Sequence, residues 1–350
     1  VVDAATGSVT LTGNSNTGEV IAAGTGGLNF IQAGGGTGTI IAGGGTVSTS
    51  GTGYAILGDG ASAGSTTNVG GQGGLTTVPT VAGGATVPVS IGGGANTVVG
   101  GSNPMSVTNT GTGTVFVLGS GSSTVSAGGS GSYFASSGPM VFVNTGTSVV
   151  VGGSGASTFF GGNSSTSFTF YQGTGTGSAT FVGGSGSASL ITGAAGGIVA
   201  FAGAGGSVGL YGTSTSGFNY LVGGTGSETL NAAFSAGTGV LVAGAANALA
   251  YLSTTSQDAF FSGTGSSTVV AGTGVPDLLV FANGSSGGNT TVYNWGANDG
   301  LVFLGYGSSG DATIRANIAA AGSGNAVSFT LPDNTKITLV GVGGNTSINP

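Results

Sequence analysis

A short glycine-punctuated unit recurs along the chain and limits its fold more than any other feature. The unit reads G-[ST]-G-[SA]-x-[ST]-apolar and occurs at residues 119–125, 153–159, 175–181, 184–190, 224–230 and 263–269. Several copies are followed nine residues later by another glycine-rich turn: 153 to 162, 175 to 184 and 263 to 272. The same step separates Gly34 from Gly43 and Gly83 from Gly92, and Pro104-Met105 returns as Pro139-Met140. A turn of about six residues and a strand of about three fill each step, so two steps close a coil of roughly 18 residues.

Glycine supplies 81 of 350 residues, a share that suggests disorder where charge is high and apolar content low. This chain is 38% hydrophobic and 3% charged. Its apolar residues come in clusters, such as 39–41, 98–99, 115–118 and 278–281, bounded by Gly, Ser, Thr or Asn. That is the punctuation of short strands and tight turns, and the expectation is an all-β fold. Each turn is expected to use glycine for positive φ, and each strand to send one or two apolar side chains inward. Stacked coils then form a β-solenoid or β-roll with backbones paired at about 4.8 Å per coil. Residues 1–275 would give about 14 coils and a rod of roughly 70 Å. The alternative is a tandem β-sandwich with glycine-rich loops.

Three segments are expected. Residues 1–103 hold irregular repeats, with prolines at 79, 88 and 104 and a stretch at 58–80 that suggests a break or a change of coil shape. Residues 104–275 hold the regular solenoid repeats. Residues 276–350 carry the single Trp, both cations and four of the nine acids, with strand-like runs at 301–304, 326–331 and 335–342. They read as a distinct C-terminal β cap.

The turn unit resembles the nonapeptide of RTX-type (hemolysin-type) calcium-binding β-rolls, G-G-x-G-x-D-x-U-x with U apolar. Residues 152–159 fit except at the Asp, which is Ser157; the same position is Ala188 in 183–190, Glu228 in 223–230 and Ser267 in 262–269. Residues 277–281, 292–295, 299–303 and 328–342 are similar to the C-terminal region of type I secreted proteins of this group. The resemblance implies a rolled fold and export directed by the C-terminal end, without a cleaved leader. The chain opens at Val1 with no basic-plus-apolar stretch, which leaves open a removed leader or a longer product. Family turns bind Ca²⁺ through the Asp carboxylate, since a hard cation needs charged oxygen ligands. With that Asp replaced, the turns are expected to stand without calcium, held by hydroxyl-to-backbone hydrogen bonds and core packing. Any metal would be sought at Asp277, Asp299, Asp311, Asp333 or Glu228.

Catalysis lacks its usual groups. No His or Cys is present, and the acids up to residue 257 are only Asp3, Glu19, Asp59 and Glu228, no two in one motif. No enzymatic activity and no cofactor are expected. Trp295 with Tyr293, Phe303 and Tyr306 reads first as core, with a carbohydrate-stacking cluster, contacting through Trp295 and Tyr306, as the competing reading. A net charge of −7 with Arg315 and Lys336 as sole cations leaves nothing to neutralise phosphates, so nucleic acid is excluded as a partner. No apolar run approaches the length that spans a bilayer. Soluble monomers ordinarily keep charged surfaces, and a solenoid without them should stack or pack laterally. The expected product is a secreted bacterial structural protein whose copies form a filament, sheath or surface layer. The alternative is an adhesin-type or polysaccharide-binding module at the cell surface.

Overall fold

Short strands alternate between two sheets, each pairing in parallel with the strand one coil away. The computed structural model describes residues 86–341 apart from 163–167, 173–176, 193–195, 206, 285–287 and 322–324, and strand backbones between 3 and 77. The chain divides into two units, Val1–Gly173 and Thr174–Pro350. In the first, the register partners Val87, Met105, Ser123, Met140 and Ser157 mark coils of nearly constant length, close to the step expected from the repeats. In the second, Ala179, Ile198, Asn219 and Gly239 mark coils that are slightly longer and less even. Parallel pairing at every coil is the solenoid arrangement; sandwiches are built from antiparallel sheets, so that alternative falls.

Inward and outward residues alternate, as in Met105–Asn109, Ser123–Ala127 and Met140–Asn144, where every second side chain is buried. The first unit fills its core with rings: Phe116 stacks on Tyr133 at 4.7 Å, and Tyr133 meets Phe142 edge-on at 4.8 Å. The second unit uses Leu, Ala and Phe, with Leu221, Leu241, Phe260 and Leu279 in successive coils. Burying each such side chain contributes about 1.5–3 kcal/mol. That supply must offset the backbone entropy of a glycine-rich chain.

The glycines serve a purpose other than the one expected. Positive φ occurs at only six described glycines, 113, 197, 274, 284, 305 and 307. The commoner reason is contact between stacked turns. A Cβ on Gly153 would stand 1.4 Å from the carbonyl oxygen of Ser136, and one on Gly119 would stand 1.6 Å from that of Gly101. Backbone lies directly on backbone at the turns, and no side chain fits between.

The 58–80 stretch lies largely outside the described residues. Its strands Thr66–Val69 and Leu75–Thr77 keep parallel pairing, with a lengthened coil that carries the register from Thr67 to Val89. Parallel stacking also continues beyond 275, through Leu278–Ala282 and Gly300–Leu304. The departure begins after that strand. Gly307–Ala321 is an α-helix, which the all-β expectation lacked, and it buries Gly310, Ile314 and Ile318. Lys336–Gly341 pairs in parallel with Asn289–Trp295, and Ala326–Thr330 adds antiparallel on its far side. The hairpin covers the edge of Asn289–Trp295, and the helix packs against Ala326–Thr330. Among the described residues no helix is long and apolar enough to cross a membrane.

Candidate functional site

The inward residue where a turn enters a strand is a recurrent polar slot in the coil. In the first unit it holds Thr114, Ser123, Ser148 and Ser157, all buried, and none of their hydroxyls has a hydrogen-bond partner. The hydroxyl-to-backbone bonds expected of these residues come from turn residues instead. Thr145 Oγ1 donates to the Ala127 carbonyl at 3.3 Å, Thr225 Oγ1 to Ala204 at 2.6 Å, and Ser253 Oγ to Ser235 at 2.5 Å.

The second unit keeps an unpartnered hydroxyl at Ser267 and, in three coils, places carboxylates in the slot. Asp258, Asp277 and Asp299 stack in successive coils, since their neighbours Ala259, Leu278 and Gly300 are register partners. One oxygen of each accepts an N–H from the coil before: Gly239 to Asp258 at 2.6 Å, Asp258 to Asp277 at 3.1 Å, Asp277 to Asp299 at 2.9 Å. The other oxygen accepts from its own turn, from Ser253, Gly272 and Gly296, each at 2.7 Å. Elsewhere the first of these N–H groups bonds a main-chain carbonyl; Met140 donates to Ala156, and Ile198 to Phe218. The carboxylates therefore substitute for a carbonyl of the parallel ladder.

Burial raises the pKa of all three acids, and the amide donors pull it back. Asp277, the middle rung, is pushed up to about 7 by burial, with Asp299 and Asp258 adding repulsion on either side. Glu228 is also raised by burial, and its oxygens accept from Gly224 at 2.9 Å and Gly244 at 2.6 Å.

The candidate metal positions do not converge. Asp277 and Asp299 share the ladder, Glu228 lies in the other sheet, and Asp311 is exposed on the helix. Asp333 accepts the Tyr306 hydroxyl at 2.9 Å and the Thr335 N–H at 3.1 Å. Among the described residues no three His, Cys, Asp or Glu side chains group to hold an ion. Asp258, the third member of the ladder, falls outside the turn motif and the C-terminal segment, so the sequence does not single it out. Trp295 is 3% exposed and Tyr306 8%, so both rings are core and present no open face for a sugar to stack on.

The outer surface is the larger candidate. Between residues 86 and 298 the sequence has three charged residues, Glu228, Asp258 and Asp277, and all three are buried. Asp311, Arg315 and Lys336, which are exposed, belong to the terminal helix and hairpin. Large apolar side chains stand outward on the coils, among them Phe134, Phe160, Phe201 and Phe218, each at least 39% exposed. Such a surface can bury area against another neutral surface without desolvating a charge. No protein-family model, curated protein or solved structure matches the chain.

Proposed function

We propose that the chain is a secreted structural protein whose copies assemble into an extracellular filament, sheath or surface layer, without catalysis and without a cofactor. The observation that carries this reading is the absence of any exposed charged side chain between residues 86 and 298. Charge and irregular edges are what keep β-proteins apart in solution. Each ladder carboxylate already accepts two amide donors, which supports a reading in which these acids serve the fold and not a metal. The likeness of the turn unit to the RTX nonapeptide, together with the coiled parallel fold, supports a degenerate member of that group exported by a type I route. The burial of Trp295 and Tyr306 favours the structural reading over a glycan-binding one.

Negative-stain electron microscopy of the purified protein, with and without a chelator, tests the reading. Ordered fibres or lattices in both conditions are expected. Single particles at high concentration across pH and salt would overturn it, and order lost on chelation would overturn its calcium-free part.

A further inference from the structure

Gly209 stands inside a strand, Val208–Gly212, where the backbone gives no reason for glycine. The pairing register runs unbroken on both sides of it, and it does not use positive φ. At the stacked turns an added Cβ would strike backbone; at Gly209 it would first meet the Tyr211 ring, at 2.7 Å. In the following coils the same outward position holds Thr229, Leu249, Thr268 and Thr291. Glycine inside a strand weakens it, and where no bulge or bend accounts for it, it marks a place that something else approaches closely.

At this position the missing side chain leaves a cleft of about 260 Å³. Ser207 and Ser227, both exposed at the ends of their turns, line it together with Thr229 of the next coil. Tyr211 leans across the bare backbone of Gly209, so that its ring lies along the strand beside the cleft. Glu228 also lines the cleft, but its two carboxylate oxygens are turned to the amides of Gly224 and Gly244. The chain has no Lys or Arg before Arg315, so no cation from these coils can hold an anionic ligand. Sites for drug-sized ligands run to about 300–1,000 Å³, so this one suits a single small unit. We propose that the cleft binds one neutral sugar unit of a polysaccharide, whose C–H face stacks on Tyr211 while its hydroxyls bond Ser207, Ser227 and Thr229. The site is separate from the buried Trp295 and Tyr306, and it is independent of the assembly reading: it would fasten the protein to a glycan surface whether or not copies pack together.

Native electrophoresis of the full chain tests this, in gels containing dextran, soluble β-glucan or galactomannan, each compared with a polysaccharide-free gel and with one containing polygalacturonate. Retardation is expected in at least one neutral gel and not in polygalacturonate. Tyr211→Ala should weaken that retention about tenfold, as loss of a central aromatic contact does. Gly209→Val should also abolish it by filling the cleft, yet leave the denaturation midpoint unchanged or higher, because valine favours strands. A purely structural glycine would not separate those two readouts. Tyr251→Ala changes the ring two coils on, which stands beside Leu249 instead of a glycine, and should leave retention as in wild type. Far-UV circular dichroism checks the fold of each variant. A wild type retarded by none of the neutral polymers would overturn the proposal, as would retention that survives both Tyr211→Ala and Gly209→Val. Retardation by polygalacturonate alone would replace the neutral sugar with an acidic one.

Discussion

Buried hydroxyls that bond nothing fill the inward polar slot in the first unit and again at Ser267 in the second, whereas the second unit alone also places there, at Asp258, Asp277 and Asp299, carboxylates that each take two amides. The difference follows from what the backbone has already done. At Ser157 the neighbouring amides are occupied: Met140 donates to the Ala156 carbonyl and Gly152 to the Tyr171 carbonyl. An uncharged side chain that takes no amide suits that slot, as its register partner Met140 also shows. At Asp277 the corresponding amides of Asp258 and Gly272 turn to the side chain instead. The coils that take carboxylates are longer than the regular ones around Ser157, and their turns leave two amides for a side chain to satisfy.

Exchange between the two slots should break the comparison most sharply. Ser157→Asp buries a carboxylate beside amides already in use, and is expected to destabilise the first unit by about 3–5 kcal/mol, read as a fall in denaturation midpoint. Asp277→Ala removes the acceptor from two amides and should cost about 2–4 kcal/mol at acid pH. Its cost should shrink as pH rises, because the charge it removes is then a buried and repelled one. The same sign holds for the intact ladder. A folded pKa raised above the ordinary carboxylate value means protonation favours the fold, so stability is greatest in acid. For Asp277 it is lost as pH climbs from 3.8 through about 7. Thermal unfolding followed across that window should show a falling midpoint that Asp277→Asn flattens; a rising midpoint would contradict the assignment. The smallest effect is expected at Ser157→Ala, which deletes an unpaired buried hydroxyl and should leave stability unchanged or raise it by about 1 kcal/mol.

Much of the architecture is readable without coordinates, because strand and turn alternate at a short, nearly fixed step. The Gly-Ser-Gly units at 119–125 and 153–159 announce both the turn and the inward apolar residue that follows, Val125 and Phe159, each fully buried. The ladder is not readable in that way. The step from Asp258 to Asp277 differs from the step from Asp277 to Asp299, and only the pairing register shows that the three stack. The helix is hidden for another reason. Gly307, Gly310 and a run of alanines continue the small-residue composition, and only Ile314 and Ile318 carry a helical spacing. The role of the glycines is legible in part: their number marks the turns, but the need for bare backbone at Gly119 and Gly153 comes from the coil before.

The confinement of cations to the end of the chain has a consequence for proteolysis. A protease that cuts after basic residues finds two sites in 350 residues, Arg315 and Lys336. Arg315 is exposed on the helix, and Lys336 opens the strand that covers Asn289–Trp295. The coils are closed to such an enzyme, whereas their terminal cover is not. A single cut after Arg315 severs the hairpin from the chain, and its departure would leave Asn289–Trp295 as an unpaired edge. Digestion should therefore leave one large resistant fragment whose new end is ready to pair.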